Sequence, residues 1–378
     1  MISTDAGEGT HSTGWREALL QRHRQAATSA VRSLPPGTFD SALLIGSLAA
    51  GLGTTSSDVD LLLLTDGPLL ERPSPKTGAS GVGRIDVEHL TLAEATARIE
   101  SLRTYRVTES VTTQVYEVAE ALELYCGLSS TPIVLQESDQ LRALLDLCRT
   151  VDRSAARIRV TRATLLANNT LEDTLGFVAT GDADSALISA ATLLHFAVDA
   201  FCTANGDLYF GQKWNVQRLR RVLRADDPSG RAVVEALTGG AADRDAAFRL
   251  VARRIATAQQ LLATANLTVW LDNEVRLMVP PAGPPSRGSV RRADRWHLLK
   301  YVERWILSDG RRHYEVPWTA VLVWSLAGTG AASLEAAARS EIERQLGRAV
   351  SEALPRSLLQ RLLELGALTT GDSVMAEV

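Results

Sequence analysis

The stretch IGSLAAGLGTTSSDVDLLLL, residues 45–64, constrains the fold more than any other part of the chain. It joins the end of one apolar run, ALLI, to the start of another, DLLLL, through a loop rich in Gly, Ser and Thr. Apolar runs of about four to eight residues bounded by turn residues read as strands buried on both faces. With helices around them, such strands describe a small mixed α/β domain.

The surroundings supply those helices. Residues 15–33 repeat apolar positions with helical spacing until Pro35-Pro36-Gly37 stops them. A polar Pro/Gly/Ser segment, 71–83, precedes a third strand candidate, RIDVEHL. Residues 1–135 therefore read as a small mixed-sheet domain. From 136 to 278 turn signals are rare and Ala, Leu and Arg recur with helical periodicity, which predicts a bundle of five or six helices. The segment 279–295 holds four of the 13 prolines and reads as a linker. Residues 296–378 then predict a third domain: a hairpin turning at Ser308-Asp309-Gly310, and helices over 318–326, 334–346 and 354–365. The expected class is α+β in three parts.

A formal net charge of -4 excludes an overall basic field, so nucleic acid is not an expected partner. The three cysteines are widely spaced with no Cys-x-x-Cys, which predicts buried thiols rather than a disulfide framework or a zinc site. The N-terminal residues are polar, and the longest apolar stretch, 186–201, is interrupted by Ser189, His195 and Asp199. The expectation is a cytoplasmic protein with no membrane partner. The oligomeric state is not encoded in any pattern of the chain.

The chemistry concentrates at the second strand. Residues i and i+2 of a strand share a face, so Asp58 and Asp60 project together with Cα atoms about 7 Å apart. Two adjacent carboxylates on an otherwise buried strand require a cation to offset their charge. Mg²⁺ or Mn²⁺ would do so, in the two-ion arrangement used for in-line displacement at phosphorus. Gly46 lacks a Cβ and so permits close approach of a triphosphate, whose oxygens Ser47 could bind through its N–H and hydroxyl. The polar loop ending at Ser57 is placed to lie under the same phosphates.

Gly-Ser closing a strand, a loop, and then Asp-Val-Asp opening an apolar strand resembles the signature of the DNA polymerase β-like nucleotidyltransferase superfamily over residues 40–90. That group includes aminoglycoside and lincosamide nucleotidyltransferases and protein adenylyltransferases. The resemblance implies a third carboxylate on a later strand, as metal ligand or general base; RIDVEHL offers Asp86 and Glu88, with Asp86 preferred. It also implies ATP as donor and a helical half that closes over the nucleotide. In that half, YFGQKWN suggests Lys213 as a triphosphate contact and Tyr209 or Trp214 as base-stacking partners. His195, on an apolar helix, reads as a core histidine.

The C-terminal residues are similar, more loosely, to winged-helix-like PqqD-type domains, which recognise leader peptides by adding a strand to a sheet edge. Either 304–308 or 311–316 would be that edge. The combined expectation is transfer of AMP from ATP to a hydroxyl of a peptide or small-molecule acceptor. An antibiotic adenylyltransferase and a catalytically idle, antitoxin-like binding module are the alternatives.

Overall fold

The computed structural model describes residues 8–69, 84–108, 117–223, 227–271, 289–328 and 333–370. The polar segment 71–83 and most of the proline-rich segment lie outside them. The chain is mixed α+β and mostly helical, and it divides into two compact units: Met1–Tyr105 with Glu117–Ala155, and Arg106–Tyr116 with Ala156–Val378.

In the first unit the elements run α1 (Glu8–Arg32), β1 (Ser41–Ile45), α2 (Gly46–Ala49), β2 (Val59–Thr65), β3 (Ile85–Thr91), α3 (Leu92–Thr104), α4 (Ala119–Ser129) and β4 (Ile133–Gln136). The sheet order is β3-β2-β1-β4. Strand β1 is antiparallel to β2 and β4, whereas β2 and β3 are parallel. Leu61 and Leu63 of β2 join Leu44 of β1 and Ala27, Ala30 and Val31 of α1 in one buried cluster. Leu62 and Leu64, pointing the other way, are also fully buried, so the run of four leucines is explained by cover on both faces. Helix α3 starts directly after β3, where Thr91 caps it by accepting the Glu94 N–H at 3.0 Å.

Helix α5 (Asp139–Ala179) is unbroken for 41 residues, and the unit boundary falls inside it rather than at 135/136. No proline interrupts it, so nothing in its backbone chemistry ends the helix at a domain edge.

The second unit continues with α6 (Ala183–Ala204), α7 (Asn215–Val222), α8 (Pro228–Thr238), α9 (Arg244–Leu271), β5 (Arg291–Arg292), β6 (His297–Lys300), β7 (Trp305–Ser308), β8 (His313–Val316), α10 (Trp318–Leu326), α11 (Leu334–Leu346), α12 (Ala353–Leu365) and β9 (Leu368–Thr369). Among the described helices α6 alone is long and apolar enough to cross a membrane, yet 56% of its window is buried inside the unit, where it packs against α9.

The C-terminal segment is not a separate compact unit here. Trp296, Trp324 and Leu362 share a buried cluster with Ala263 and Leu267 of α9. Gln259 of α9 donates to the Trp296 carbonyl at 2.8 Å, and Asn168 of α5 donates to that of Leu298 at 2.9 Å. The buried Arg292 donates to Gln260 Oε1 at 2.7 Å and to the carbonyls of Ser325 and Ala327 at 2.6 Å each. Prolines concentrate in 279–295, but residues before that segment, Ala263 and Leu267, share one core with Trp296 and Trp324 after it.

The expected hairpin is a three-stranded antiparallel sheet ordered β6-β7-β8. WILS (β7) is its centre, paired on both sides, which removes 304–308 as a free edge and leaves β8.

Candidate active site

The register of the first sheet assembles the site. Ile45 lies opposite Asp60, and Asp60 lies opposite Asp86 on the parallel neighbour β3. Register partners on adjacent parallel strands point to the same face, so the two carboxylates stand side by side. Asp58 is exposed and immediately precedes β2, two residues before Asp60. The first residue of β2 is tied to β3 by the Val59 N–H donating to the Arg84 carbonyl at 2.9 Å.

Gly46 follows β1 with φ of +76°, and a Cβ there would stand 1.9 Å from Asp60 Oδ2. Glycine is therefore required twice, by the left-handed backbone and by the carboxylate that fills the side-chain position. Ser47 is buried, and its carbonyl accepts the Leu52 and Gly53 N–H groups at 2.8 and 2.9 Å. Ser57 closes the loop: its N–H donates to the Thr54 carbonyl at 3.1 Å, and its Oγ accepts the Thr54 N–H at 2.8 Å. That local turn accounts for Ser57.

Of the two candidates on β3, Asp86 faces Asp60, whereas Glu88 lies opposite Leu62. Glu88 belongs to a neighbouring cluster in which Arg98 pairs with Glu94 at 2.7 Å and Glu120 at 3.2 Å and reaches Glu88 at 4.0 Å. Partial burial pushes the Glu88 carboxyl above its usual range; Glu123, Glu120 and Glu94 push the same way and Arg98 opposes them.

Arg84 was missed in the sequence. Its Nε and Nη2 donate to both oxygens of Asp86 at 2.6 and 2.8 Å. That bidentate bond, Asp86's charge and the charges of Asp58 and Asp60 all raise the guanidinium pKa. One cation thus lies in the field of all three carboxylates. The signal was its position, two residues before Asp86 and directly ahead of β3.

The oxygen donors of Asp58, Asp60 and Asp86 suit Mg²⁺ or Mn²⁺, and Arg84 already serves one of them as a positive partner. Among the described residues no three acidic, His or Cys side chains converge into a complete metal centre. An ion that takes phosphate oxygens for part of its shell fits such a partial set.

Lys213 belongs to the second unit. It is exposed, with Nζ 5.1 Å from the Trp214 ring centroid. Trp214 is buried and so is not offered to a base, which corrects that expectation; Tyr209 stacks on Phe210 with centroids 5.6 Å apart. His195 lies within hydrogen-bond reach of Asn215 Nδ2 at 3.3 Å, and burial lowers its pKa, helped by Arg254. The preceding loop is held by an ionic network the sequence did not reveal. Arg159 donates to Asp199 at 2.7 Å and to the Tyr209 carbonyl at 2.6 Å; Arg218 donates to Asp199 and, at 3.0 Å, to Asp207. Only Asp199, a charge interrupting an apolar helix, hinted at it. All three cysteines are buried and free, and burial pushes the Cys148 and Cys202 thiols up to about 12.

No protein-family model matches the chain, and no curated protein is detectably similar to it.

Proposed function

We propose that the chain is a metal-dependent nucleotidyltransferase that moves AMP from ATP to an acceptor hydroxyl. The observation that carries this reading is the registered pair Asp60 and Asp86, with Asp58 two residues ahead of Asp60 and Gly46 making room for the Asp60 carboxylate. In the reaction the acceptor oxygen forms a bond to the α-phosphorus and the bond to the pyrophosphate oxygen breaks. Asp58, Asp60 and Asp86 would hold the metal, which when bound polarises the α-phosphate and offsets its charge. Asp86, with an oxygen on the same face, is the group to take the acceptor's proton. Gly46 and Ser47 orient the phosphates, so that attack is in line.

A peptide acceptor is favoured by β8. Its inner edge pairs with β7, and among the described residues no backbone partner occupies its outer edge, which is open to an added strand. In this reading the first unit is a polymerase β-like core and β6 to α12 a winged-helix-like recognition element.

Isothermal titration with ATP in Mg²⁺ and in chelator tests the proposal. Binding should require the metal and be lost in Asp60→Asn. Metal-independent binding, or none at all, would remove the reading in favour of an idle module.

A further inference from the structure

We propose that Arg84 is a counterion that trades places: it neutralises Asp86 before metal binds and moves onto the triphosphate once metal has taken the carboxylates. The inference rests on the proposed function and concerns a residue that function does not require.

Three observations carry it. The pair is bidentate, at 2.6 and 2.8 Å, so both Asp86 oxygens are engaged and the acid cannot ligate a metal on those lone pairs while Arg84 stays. The pair is also exposed: the Arg84 side chain is 72% accessible and that of Asp86 40%. Exposed ion pairs are weak and exchange readily, so the contact is a resting position rather than a structural tie. Finally, the Arg84 carbonyl is anchored to Val59 N–H at 2.9 Å, which fixes the backbone at the sheet margin while leaving the long side chain free to swing.

A divalent ion on Asp60 and Asp86 would repel the guanidinium from the same carboxylate. The displaced fork fits phosphate oxygens as well as it fits a carboxylate, and it would remain attached to the strand that bears Asp86. Arginine at this position thus opposes metal alone and favours metal with nucleotide, coupling the two binding events.

The test measures two affinities of opposite expected sign. Free Mn²⁺ is followed by electron paramagnetic resonance without nucleotide, and ATP binding by calorimetry at saturating Mg²⁺. Arg84→Gln should bind Mn²⁺ about fivefold more tightly, a gain that shrinks as salt rises. The same variant should bind ATP about tenfold more weakly, from the lost charge-assisted contact. Arg84→Lys, which keeps the charge without the fork, should fall between the parent and Arg84→Gln in ATP affinity. An unchanged melting temperature checks that the exposed site tolerates the change. Unchanged or weaker Mn²⁺ binding in Arg84→Gln, or unchanged ATP affinity, overturns the exchange while leaving the proposed function standing. Failure of both the parent and Arg84→Gln to bind Mn²⁺, or Mn²⁺ binding that survives Asp60→Asn, brings down the function as well.

Discussion

The side-chain position of Gly46 is filled by the carboxylate of Asp60: a Cβ placed there would lie 1.9 Å from Oδ2. Gly46 directly follows β1, whose last residue, Ile45, is the register partner of Asp60 on β2, so the strand register itself enforces the glycine.

Gly46→Ala should therefore destabilise the first unit by two separable effects. The left-handed backbone costs roughly 1–2 kcal/mol for any residue with a Cβ, and the clash with Asp60 adds to it. In an Asp60→Ala background the clash disappears, and only the backbone cost remains. A double-mutant cycle from urea unfolding checks this: strictly additive effects would show that the contact carries no energy.

Asp86 and Glu88 should separate in kinetics. Asp86→Asn should lower transfer by about a hundredfold or more, the usual contribution of a positioned acid–base group. Glu88→Gln should leave most of the rate. Transfer rates measured across pH for both variants decide it, and equal losses would contradict the division drawn from the register.

The Asp60–Asp86 juxtaposition was half legible in the sequence. Strand length, apolar filling and turn residues placed β1, β2 and β3 near their observed bounds, because a strand covered on both faces leaves a local signature. Which of Asp86 and Glu88 faces Asp60 depends on register between strands, and no single strand carries that. Two other features had no local signature. The loop between β6 and β7 has the sequence Tyr-Val-Glu-Arg, without Gly, Pro, Asn or Asp, so two hairpins read as one. Helix α5 passes its unit boundary because nothing in its residues marks one.

Acid should loosen the second unit through Asp199. Burial alone would raise its pKa, but Arg159 and Arg218 outweigh burial and hold the carboxyl below its usual range. A depressed carboxylate contributes stability that is present above the unfolded value, about 3.9, and is lost as pH falls through the folded one. Asp199→Asn should cost about 3 kcal/mol near neutrality, because two buried guanidinium groups lose the negative charge they share. The gap in melting temperature between parent and variant should close below about pH 4. A gap that stays constant from neutrality into acid would refute the assignment.

Leu267→Ala, on α9, should unsettle Trp296 and Trp324, which share its cluster. A cavity of this kind costs about 2–4 kcal/mol, and tryptophan fluorescence should report the loss in one transition with the helical signal. By the same reasoning a fragment of residues 289–378 alone should show no cooperative melt. A fragment that melts cooperatively, or fluorescence that ignores the α9 change, would restore an independent C-terminal domain.

Arg292 bears on how such a chain can change over time. Its guanidinium is fully enclosed, meets Gln260 and main-chain carbonyls, and has a pKa lowered to about 9 by burial alone. A recombination event that cut between α9 and β5 would leave that charge in an apolar core without its amide acceptor. The last strands and helices are thus not an exchangeable cassette: a graft that keeps this core whole has to carry α9 with them.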